Sequence, residues 1–451
     1  MKNWIKIFAL TAFSTQIYAQ QSFTIDDAVK YALENNVNVK KAKIDQTIAQ
    51  QKVKETVGIG LPQVNAQGKY NDFIKVGAQL FPAELIPEKY LPPELQGKDL
   101  SGQFIPLAFG QKYNLQGGVT VSQLLFNGSY IVGLESSRTY KQTAALVEQK
   151  TEISIKEAVM MTYAGILSTD ENIKTLEENK RILEKNLNDT KATYKAGLIE
   201  LQNVEQLDYS YKNLSTVINN LKRTRAKLLV GFKYLMGYPT EQELTLTSTF
   251  DDILEENKIL ISKDGADLSN HIDLQLKQNQ IKINELLLKL EKSKALPSLS
   301  TFLSSNSVAN NNDFGKLFSE KFYNSTIFGL QLDVPIFSGL QRHWRTEQAK
   351  LELSKAQLDK EDTEKQLKSE LFQKSTDYEN ALASFETSED LVKLSSEIYR
   401  KQNIKFTEGL GTSFELSQAE NQLYDAQTNY YQAAIQLIQA KISLDKAKGN
   451  L

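Results

Sequence analysis

Apolar residues recur at alternating intervals of three and four positions between Thr412 and Lys448. An α-helix turns once every 3.6 residues, so this spacing places them along one side of a helix, as in a coiled coil. Alanine alternates with larger residues, which lets neighbouring helices approach closely. The positions are Leu416, Ala419, Leu423, Ala426, Tyr430, Ala433, Leu437, Ala440, Leu444 and Ala447. The pattern predicts a heptad helix over 410–449.

An earlier segment, 200–237, has a similar heptad pattern, with Arg225 as its only polar interruption. Its apolar positions are Val204, Leu207, Tyr211, Leu214, Ile218, Leu221 and Leu228. This similarity predicts a second heptad helix. Taken alone, the helices are also compatible with a long coiled coil of purely structural role.

Two longer segments, 129–195 and 340–407, contain no proline, and their only glycines are Gly133 and Gly165. Each predicts one helix of more than sixty residues, roughly 100 Å long at 1.5 Å per residue. Shorter helices are predicted over 27–57 and 266–294.

Strict alternation of apolar and polar residues predicts β-strands in two further regions. The clearest is 325–337, where one face carries Phe328, Leu330, Leu332, Val334 and Ile336. Residues 113–122 alternate in the same way. Proline after Leu61 and after Leu296 ends a helix and begins the partner strand. We therefore predict one β-hairpin over 61–126 and another over 296–337.

The strand patterns allow two interpretations. Polar residues on one face suit a water-filled interior, and aromatic residues nearby suit the girdles of a membrane interface. Two hairpins packed on a soluble sheet are the alternative. Since four strands cannot close a membrane barrel and no open edge survives in lipid, the membrane interpretation requires several copies of the chain.

The first hairpin contains an additional segment, 74–110. It holds five of the nine prolines, at positions 82, 87, 92, 93 and 106. Such a proline content predicts an irregular exposed loop. In the second hairpin, the corresponding loop is the run near 307–323.

The chain contains an internal duplication. The sequence that ends at Gly128 resembles the one that ends at Gly339, and the turn at Gly197 resembles the turn at Gly409. The two pairs are separated by 211 and 212 residues, so both landmarks keep nearly the same register. Two similar supersecondary units around a pseudo-symmetric core are expected.

The N-terminus predicts export. Residues 1–19 have two lysines, an apolar stretch and a small residue before Gln20, as in a secretory signal peptide. Removal of this segment changes the formal net charge from −2 to −4, so no basic field for nucleic acid is expected. The absence of cysteine excludes disulfides, thiolate metal sites and lipidation of an N-terminal cysteine.

No catalytic chemistry is predicted. The chain has two histidines, His271 and His343, and four methionines, which do not indicate a metal site. There is no phosphate-binding glycine loop and no catalytic triad motif. We therefore expect neither an enzyme nor a cofactor.

The order of these features resembles the TolC-like outer-membrane efflux family. Each half has a Leu-Pro hairpin, a long helix, a Gly-Leu turn and a heptad helix, and Ser22 to Asn36 resembles the usual opening of that family. The resemblance implies a mainly α fold with membrane β structure. An internally duplicated protomer would give four strands to a 12-stranded trimeric β-barrel and its helices to a long periplasmic α-helical barrel.

The resemblance also implies a domain organisation. After the signal peptide, 20–237 would be the first structural repeat and 266–451 the second. Residues 238–265 would form an equatorial linker region. The implied location is the cell outer membrane, with a large periplasmic part.

The implied function is an exit duct for a tripartite efflux pump or a type I secretion system. The implied partners are two further copies of the chain, a periplasmic adaptor (membrane fusion) protein, an inner-membrane transporter and outer-membrane lipid. A periplasmic coiled-coil adaptor or structural binding module is the alternative, but an adaptor needs a single helical hairpin between β-rich domains.

Two sets of site residues follow from the resemblance. Gly197 with Leu198, and Gly409 with Leu410, would form the periplasmic tips where an adaptor docks. The residues after these turns would line the periplasmic aperture: Asn203, Gln206, Glu415 and Gln418. A ring of three Glu415 carboxylates would favour cations. A solvated glutamate on a helix face is the alternative.

Overall fold

A computed structural model describes residues 21–258 and 268–451. The predicted signal peptide, 1–19, lies outside the described residues, as does the end of the predicted linker region. The chain forms two compact units. We call them the helical unit (the described part of 1–49, with 141–281 and 355–451) and the sheet unit (50–140 and 282–354).

Helices make up most of the described chain. They are α1 (Ile25–Asn35), α2 (Val37–Ile59), α3 (Gly128–Lys195), α4 (Leu201–Met236), α5 (Phe250–Asn257), α6 (Ile272–Ser293), α7 (Phe314–Leu317), α8 (Gln341–Thr407) and α9 (Ser413–Lys448). In residues 21–258 and 268–451, no helix combines the length and the apolar composition that a membrane-spanning helix needs.

The single helix predicted over 27–57 is wrong, because the chain forms two helices that meet at Asn36. Asn36 leaves the helical conformation, with ψ at 134°, and its side-chain oxygen accepts from the N–H of Asn38 at 2.7 Å. Its amide nitrogen donates to the carbonyl of Leu235 at 2.7 Å. Asparagine thus ends α1, caps α2 and fixes both to α4.

The strands are β1 (Gln21–Phe23), β2 (Gln63–Asp72), β3 (Ala78–Pro82), β4 (Phe104–Ala108), β5 (Tyr113–Asn127), β6 (Leu244–Leu246), β7 (Ser298–Asn311) and β8 (Tyr323–Asp333). The central sheet of the sheet unit is antiparallel, in the order β2-β5-β7-β8. The two hairpins therefore join side by side through β5 and β7, and β2 and β8 form its edges.

The two faces of this sheet differ in polarity. Val64, Val121, Leu303 and Phe328 lie opposite one another across the four strands, on one face. Phe328 is 71% exposed. Asn71, Asn114 and Asn310 form a row on the other face. The sheet thus has a solvent-exposed apolar face and a polar face.

Two expectations for the hairpins are wrong. The strand predicted to reach residue 337 ends at Asp333, and Pro335, which lacks an N–H, follows it. The segment 74–110 is not irregular, because β3 and β4 pair within it as an antiparallel ribbon. Ala83, Leu91 and Leu100 form a small apolar core beneath this ribbon.

The core of the helical unit contains a short parallel pair, β1 with β6, and the helix α5. Tyr163 of α3 is fully buried there. Its hydroxyl donates to the carbonyl of Phe23 at 2.8 Å and accepts from the N–H of Ser248 at 3.0 Å. One buried tyrosine therefore ties both segments to the long helix.

Arg225, the interruption of the heptad pattern in α4, forms an ion pair with Asp170 of α3. Its second guanidinium nitrogen lies 3.1 Å from the other Asp170 oxygen. The interruption is thus explained by a two-point contact between neighbouring helices.

Candidate functional site

Two turns with nearly the same backbone connect the helices at the predicted tips. Gly197 and Gly409 adopt left-handed φ values of 75° and 71°. The N–H of Leu198 donates to Thr193 at 3.2 Å, and the N–H of Leu410 donates to Lys405 at 2.8 Å. This is the Schellman arrangement, which needs a residue that tolerates positive φ.

The leucines that follow these glycines point into solvent. Leu198 is 75% exposed and Leu410 is 80% exposed. Phe414, in the first turn of α9, is 64% exposed. Each turn therefore presents an apolar side chain on a rigid backbone. The predicted tip residues form two equivalent exposed sites within the helical unit.

The structure brings the predicted aperture residues of α4 against α9. The Ser413 hydroxyl donates to the Asn203 side-chain oxygen at 2.7 Å, and the Gln206 amide donates to the Ser417 hydroxyl at 3.1 Å. Ser417 also shares a hydrogen bond of 2.6 Å with Ser210. In this arrangement the two amides join neighbouring helices.

Glu415 is exposed and forms the capping box of α9 with Thr412. Its carboxylate accepts from the Thr412 N–H at 3.1 Å, and its own N–H donates to the Thr412 hydroxyl at 3.2 Å. Gln418 lies exposed one turn further along the helix. Glu415 thus has a structural role at the helix N-terminus, in addition to its predicted position at the aperture.

Sequence reasoning missed Glu420, two turns into α9. Its side chain is fully buried, and neither carboxyl oxygen has a hydrogen-bond partner among the described residues. Burial raises its pKa to about 8. The sequence did contain a clue: Glu420 directly follows a residue of the apolar seam, and position 424 is tyrosine rather than lysine or arginine.

Two tyrosines lie in the field of Glu420. Burial, and then the nearby Glu420, raise the pKa of Tyr399 in α8 to about 12. The same two causes raise the pKa of Tyr424 in α9. Tyr399 also hydrogen-bonds to the Asn186 side chain of α3. The tip therefore contains a buried carboxyl group with tyrosines of α8 and α9 near it.

The polar face of the sheet unit has its own network. The Asn71 amide donates to Asn114 at 3.0 Å, and the Asn114 amide donates to Asn310 at 2.6 Å. A cavity of about 810 Å³ lies against this row, with Lys69, Gln116 and Glu320 also in its lining. A face covered by amides and charged groups suits contact with water.

No metal site is found in the part of the chain that the structure describes. There, no three His, Cys, Asp or Glu residues are grouped so that they could hold an ion. His271 is buried and accepts from the N–H of Asp273 at 3.3 Å, while His343 packs edge-on against Trp344. Both histidines make local structural contacts.

Comparison with known proteins identifies a family. Residues 267–450 match the family described as outer membrane efflux protein. Outer membrane protein TolC of Vibrio cholerae serotype O1 (strain ATCC 39315 / El Tor Inaba N16961) is 20% identical over 437 residues, covering 95% of this chain and 91% of its own.

Solved structures share the fold. The Campylobacter jejuni CmeC outer membrane channel has a TM-score of 0.71 and 15% identity, covering 94% of this chain and 85% of its own. The outer membrane protein VceC of Vibrio cholerae has a TM-score of 0.68 and 13% identity, covering 94% of this chain and 96% of its own.

These comparisons confirm the predicted fold class, mainly α with β structure, and the predicted location in the outer membrane. The matching family is one of efflux proteins rather than of enzymes. Residues 267–450 match the outer membrane efflux protein family, and the predicted resemblance of the chain to the TolC-like outer-membrane efflux family is confirmed.

Proposed function

We propose that the chain is one subunit of a homotrimeric exit duct, which passes substrates from an inner-membrane transporter and a periplasmic adaptor across the outer membrane. It would serve a tripartite efflux pump or a type I secretion system. Residues 20–237 and 266–451 would be its two repeats. Three four-stranded sheets would close one twelve-stranded barrel, and the helical units would enclose a periplasmic tunnel.

The four-stranded sheet is the observation that carries this proposal. Its edge strands β2 and β8 have ten and eleven residues, so they are matched in length for pairing with another copy. In a bilayer, backbone groups at an open edge would remain without hydrogen bonds, which closure into a barrel avoids. The exposed apolar face suits lipid and the polar face suits a water-filled interior.

The helices also expose apolar side chains that are suited to contact further copies of the chain. On α8, Leu351, Leu358 and Phe372 are 71%, 65% and 74% exposed, at intervals of whole heptads. On α2, Val37, Ile44 and Ile48 are more than half exposed. Neighbouring copies in a helical barrel would cover these positions.

Disulfide cross-linking tests the closure, because the chain contains no cysteine of its own. Cysteine at Val64 in β2 would be combined in turn with cysteine at Phe328, Leu330 or Leu332 in β8. β2 and β8 are opposite edges of one sheet, so we expect disulfides between chains and a covalent trimer in denaturing gels.

The control places cysteines at Val64 and Val121, which lie directly opposite each other within one sheet. That pair should cross-link within a single chain. The purified trimer should also produce discrete conductance steps in planar bilayers. A water-soluble monomer without conductance would contradict the duct and favour the adaptor alternative.

The aperture assignment is tested separately with Glu415→Gln. Glutamine can still complete a capping box, so the helix start should be preserved. If three Glu415 side chains surround the pore axis, the substitution should reduce cation preference, measured as the reversal potential in a salt gradient. Glu205→Gln, at an exposed glutamate of α4, is the control. Unchanged selectivity in Glu415→Gln would refute the ring.

The tips would bind the helical hairpins of an adaptor. Leu198 and Leu410 offer two equivalent apolar contacts per chain, and three chains would offer six. Single leucine-to-alanine substitutions should weaken adaptor binding without changing the conductance of the isolated trimer. Loss of conductance in both variants would instead indicate a structural role for these leucines.

A further inference from the structure

Glu420 of α9 and Asp208 of α4 occupy equivalent positions in the two repeats. α4 and α9 each have 36 residues, and each has its carboxylate at the eighth position. Asp208 is partly exposed and its carboxylate lies 2.6 Å from the ammonium of Lys212, one turn later. A hydrogen bond with Lys212 lowers the pKa of Asp208.

The second repeat replaces this ion pair with a buried acid. Tyr424 stands where the first repeat has Lys212, and no cation among the described residues contributes to the pKa of Glu420. Leu416 and Leu423, on either side of Glu420 in the helix, are buried in the apolar cluster of the tip. Its two carboxyl oxygens have no hydrogen-bond partner among the described residues.

Two ionisable side chains lie near Glu420: Tyr399 of α8 and Tyr424 of α9 itself. The apolar cluster that contains Leu416, Leu423 and Tyr424 also receives aliphatic side chains from α3 and α4: Leu176, Leu183, Leu187, Val204, Leu207, Leu214 and Ile218. Such surroundings favour the neutral acid over the carboxylate.

We propose that Glu420 makes the packing of α8 and α9 at the helical tip sensitive to pH. The neutral acid is compatible with the packed helices, whereas the carboxylate must reach water. Separation of α8 from α9 would admit that water. If the chain forms the proposed duct, this separation would widen its periplasmic end, and to that extent the inference rests on the proposed function.

The direction of the effect follows from the two pKa values. Burial raises the pKa of Glu420 from 4.5 to about 8 in the packed helices, while a water-exposed glutamate keeps its ordinary value. The packed state therefore binds the proton more tightly. Between these pH values, the equilibrium constant for separation should rise about tenfold per pH unit, and it should level off above the upper value.

Spin labels at Leu394 of α8 and Gln422 of α9 can measure this separation, because both side chains are exposed and each lies on one of the two helices. The labels would be attached to introduced cysteines in an otherwise cysteine-free trimer in detergent. We expect the label distances to shift with rising pH in the otherwise unchanged protein. Glu420→Gln should keep the packed distances at every pH.

Two further variants complete the test. Glu420→Leu removes both the charge and the hydrogen-bonding groups, so it should also stay packed even if glutamine disturbs the cluster. Asp208→Asn changes the equivalent carboxylate and should respond to pH like the unchanged protein. A pH response that persists in Glu420→Gln and Glu420→Leu, or that is absent from the unchanged protein, would overturn the proposal.

Infrared spectroscopy gives an independent readout of the proton. A carboxylic acid C=O band should persist above pH 6 and disappear in Glu420→Gln; its absence in the unchanged protein would contradict the neutral acid. Failure of the duct itself would appear differently. Label distances that respond to pH in a protein without conductance would leave the switch standing and refute the duct.

Discussion

The helical hairpin α3–α4 and the helical hairpin α8–α9 have the same backbone at their connecting turns but differ in electrostatics two turns into α4 and α9. Both turns have a glycine in the left-handed region and the same hydrogen bonds. The first hairpin then has a partly exposed acid paired with lysine, and the second has a buried acid whose oxygens lack a hydrogen-bond partner among the described residues. The two hairpins thus have the same tip geometry but different charges.

The difference between the two hairpins should have its largest effect on the pH dependence of stability. The pKa of Glu420 is raised, so its neutral form stabilises the folded state fully below pH 4.5, and this contribution is lost as pH rises toward 8. The free energy of unfolding should fall by about 1.4 kcal/mol per pH unit in that window. Denaturant unfolding in detergent, followed by circular dichroism, measures the slope.

Glu420→Gln should abolish most of this slope, and Asp208→Asn should not. The pKa of Asp208 is lowered, so its smaller contribution is present above its ordinary value of 3.8 and is lost as pH falls. Equal slopes for the two variants would show that the hairpins do not differ in this way.

Because the two turns have the same backbone conformation, replacing the glycine should destabilise both hairpins equally. Gly197→Ala and Gly409→Ala should each lower the free energy of unfolding by about 1–2 kcal/mol, the cost of a left-handed alanine. An added Cβ meets no atom within 4 Å at either site, so only the backbone conformation is tested.

Gly165→Ala is the matched control, since that glycine lies inside α3 and its added Cβ also meets nothing within 4 Å. Alanine should stabilise that position by about 0.5–1 kcal/mol. Unequal losses at Gly197 and Gly409 would show that the surroundings of the two turns differ more than their backbones do.

The starts of α4 and α9 should differ in their response to loss of the cap. Thr412→Ala removes the hydroxyl that accepts from the Glu415 N–H and should cost about 1 kcal/mol. The equivalent Glu200 makes no side-chain cap hydrogen bond, so Glu200→Ala should change the free energy of unfolding by less than about 0.5 kcal/mol. Thermal unfolding of both variants checks this.

The smallest effect is expected at Lys212. Its pairing with Asp208 joins residues four positions apart on an exposed helix face, and such pairs contribute about 0.3–0.5 kcal/mol. Lys212→Ala should cost no more than that, and less at high salt. A loss above 1 kcal/mol would indicate that the first hairpin depends on its ion pair more than we infer.

Periodicity predicted the elements better than it predicted their interruptions. The helix predicted over 200–237 is α4, because the heptad pattern and the glycine that ends it are local features. The break at Asn36 was missed because it depends on a hydrogen bond to Leu235, a residue far away in the sequence. The ribbon in 74–110 was missed because prolines dominate its composition.

The distinction between local features and contacts with distant residues also applies to the candidate site. The tip turns were predictable, since glycine followed by leucine marks a helix end in both repeats. The hydrogen bonds of Asn203 and Gln206 to serines of α9 were not, because they require the packing of two helices that are distant in sequence.

The sequence by itself determined the duplication, the lengths of the long helices, the alternation of the strands and the glycine turns, because each depends on neighbours along the chain. Only the tertiary structure decided that Glu420 is buried and Asp208 is not. Their positions within the two helices are equivalent, but the side chains of other helices surround them differently. Burial of a carboxylate is a property of its surroundings, and those are assembled only when the chain folds.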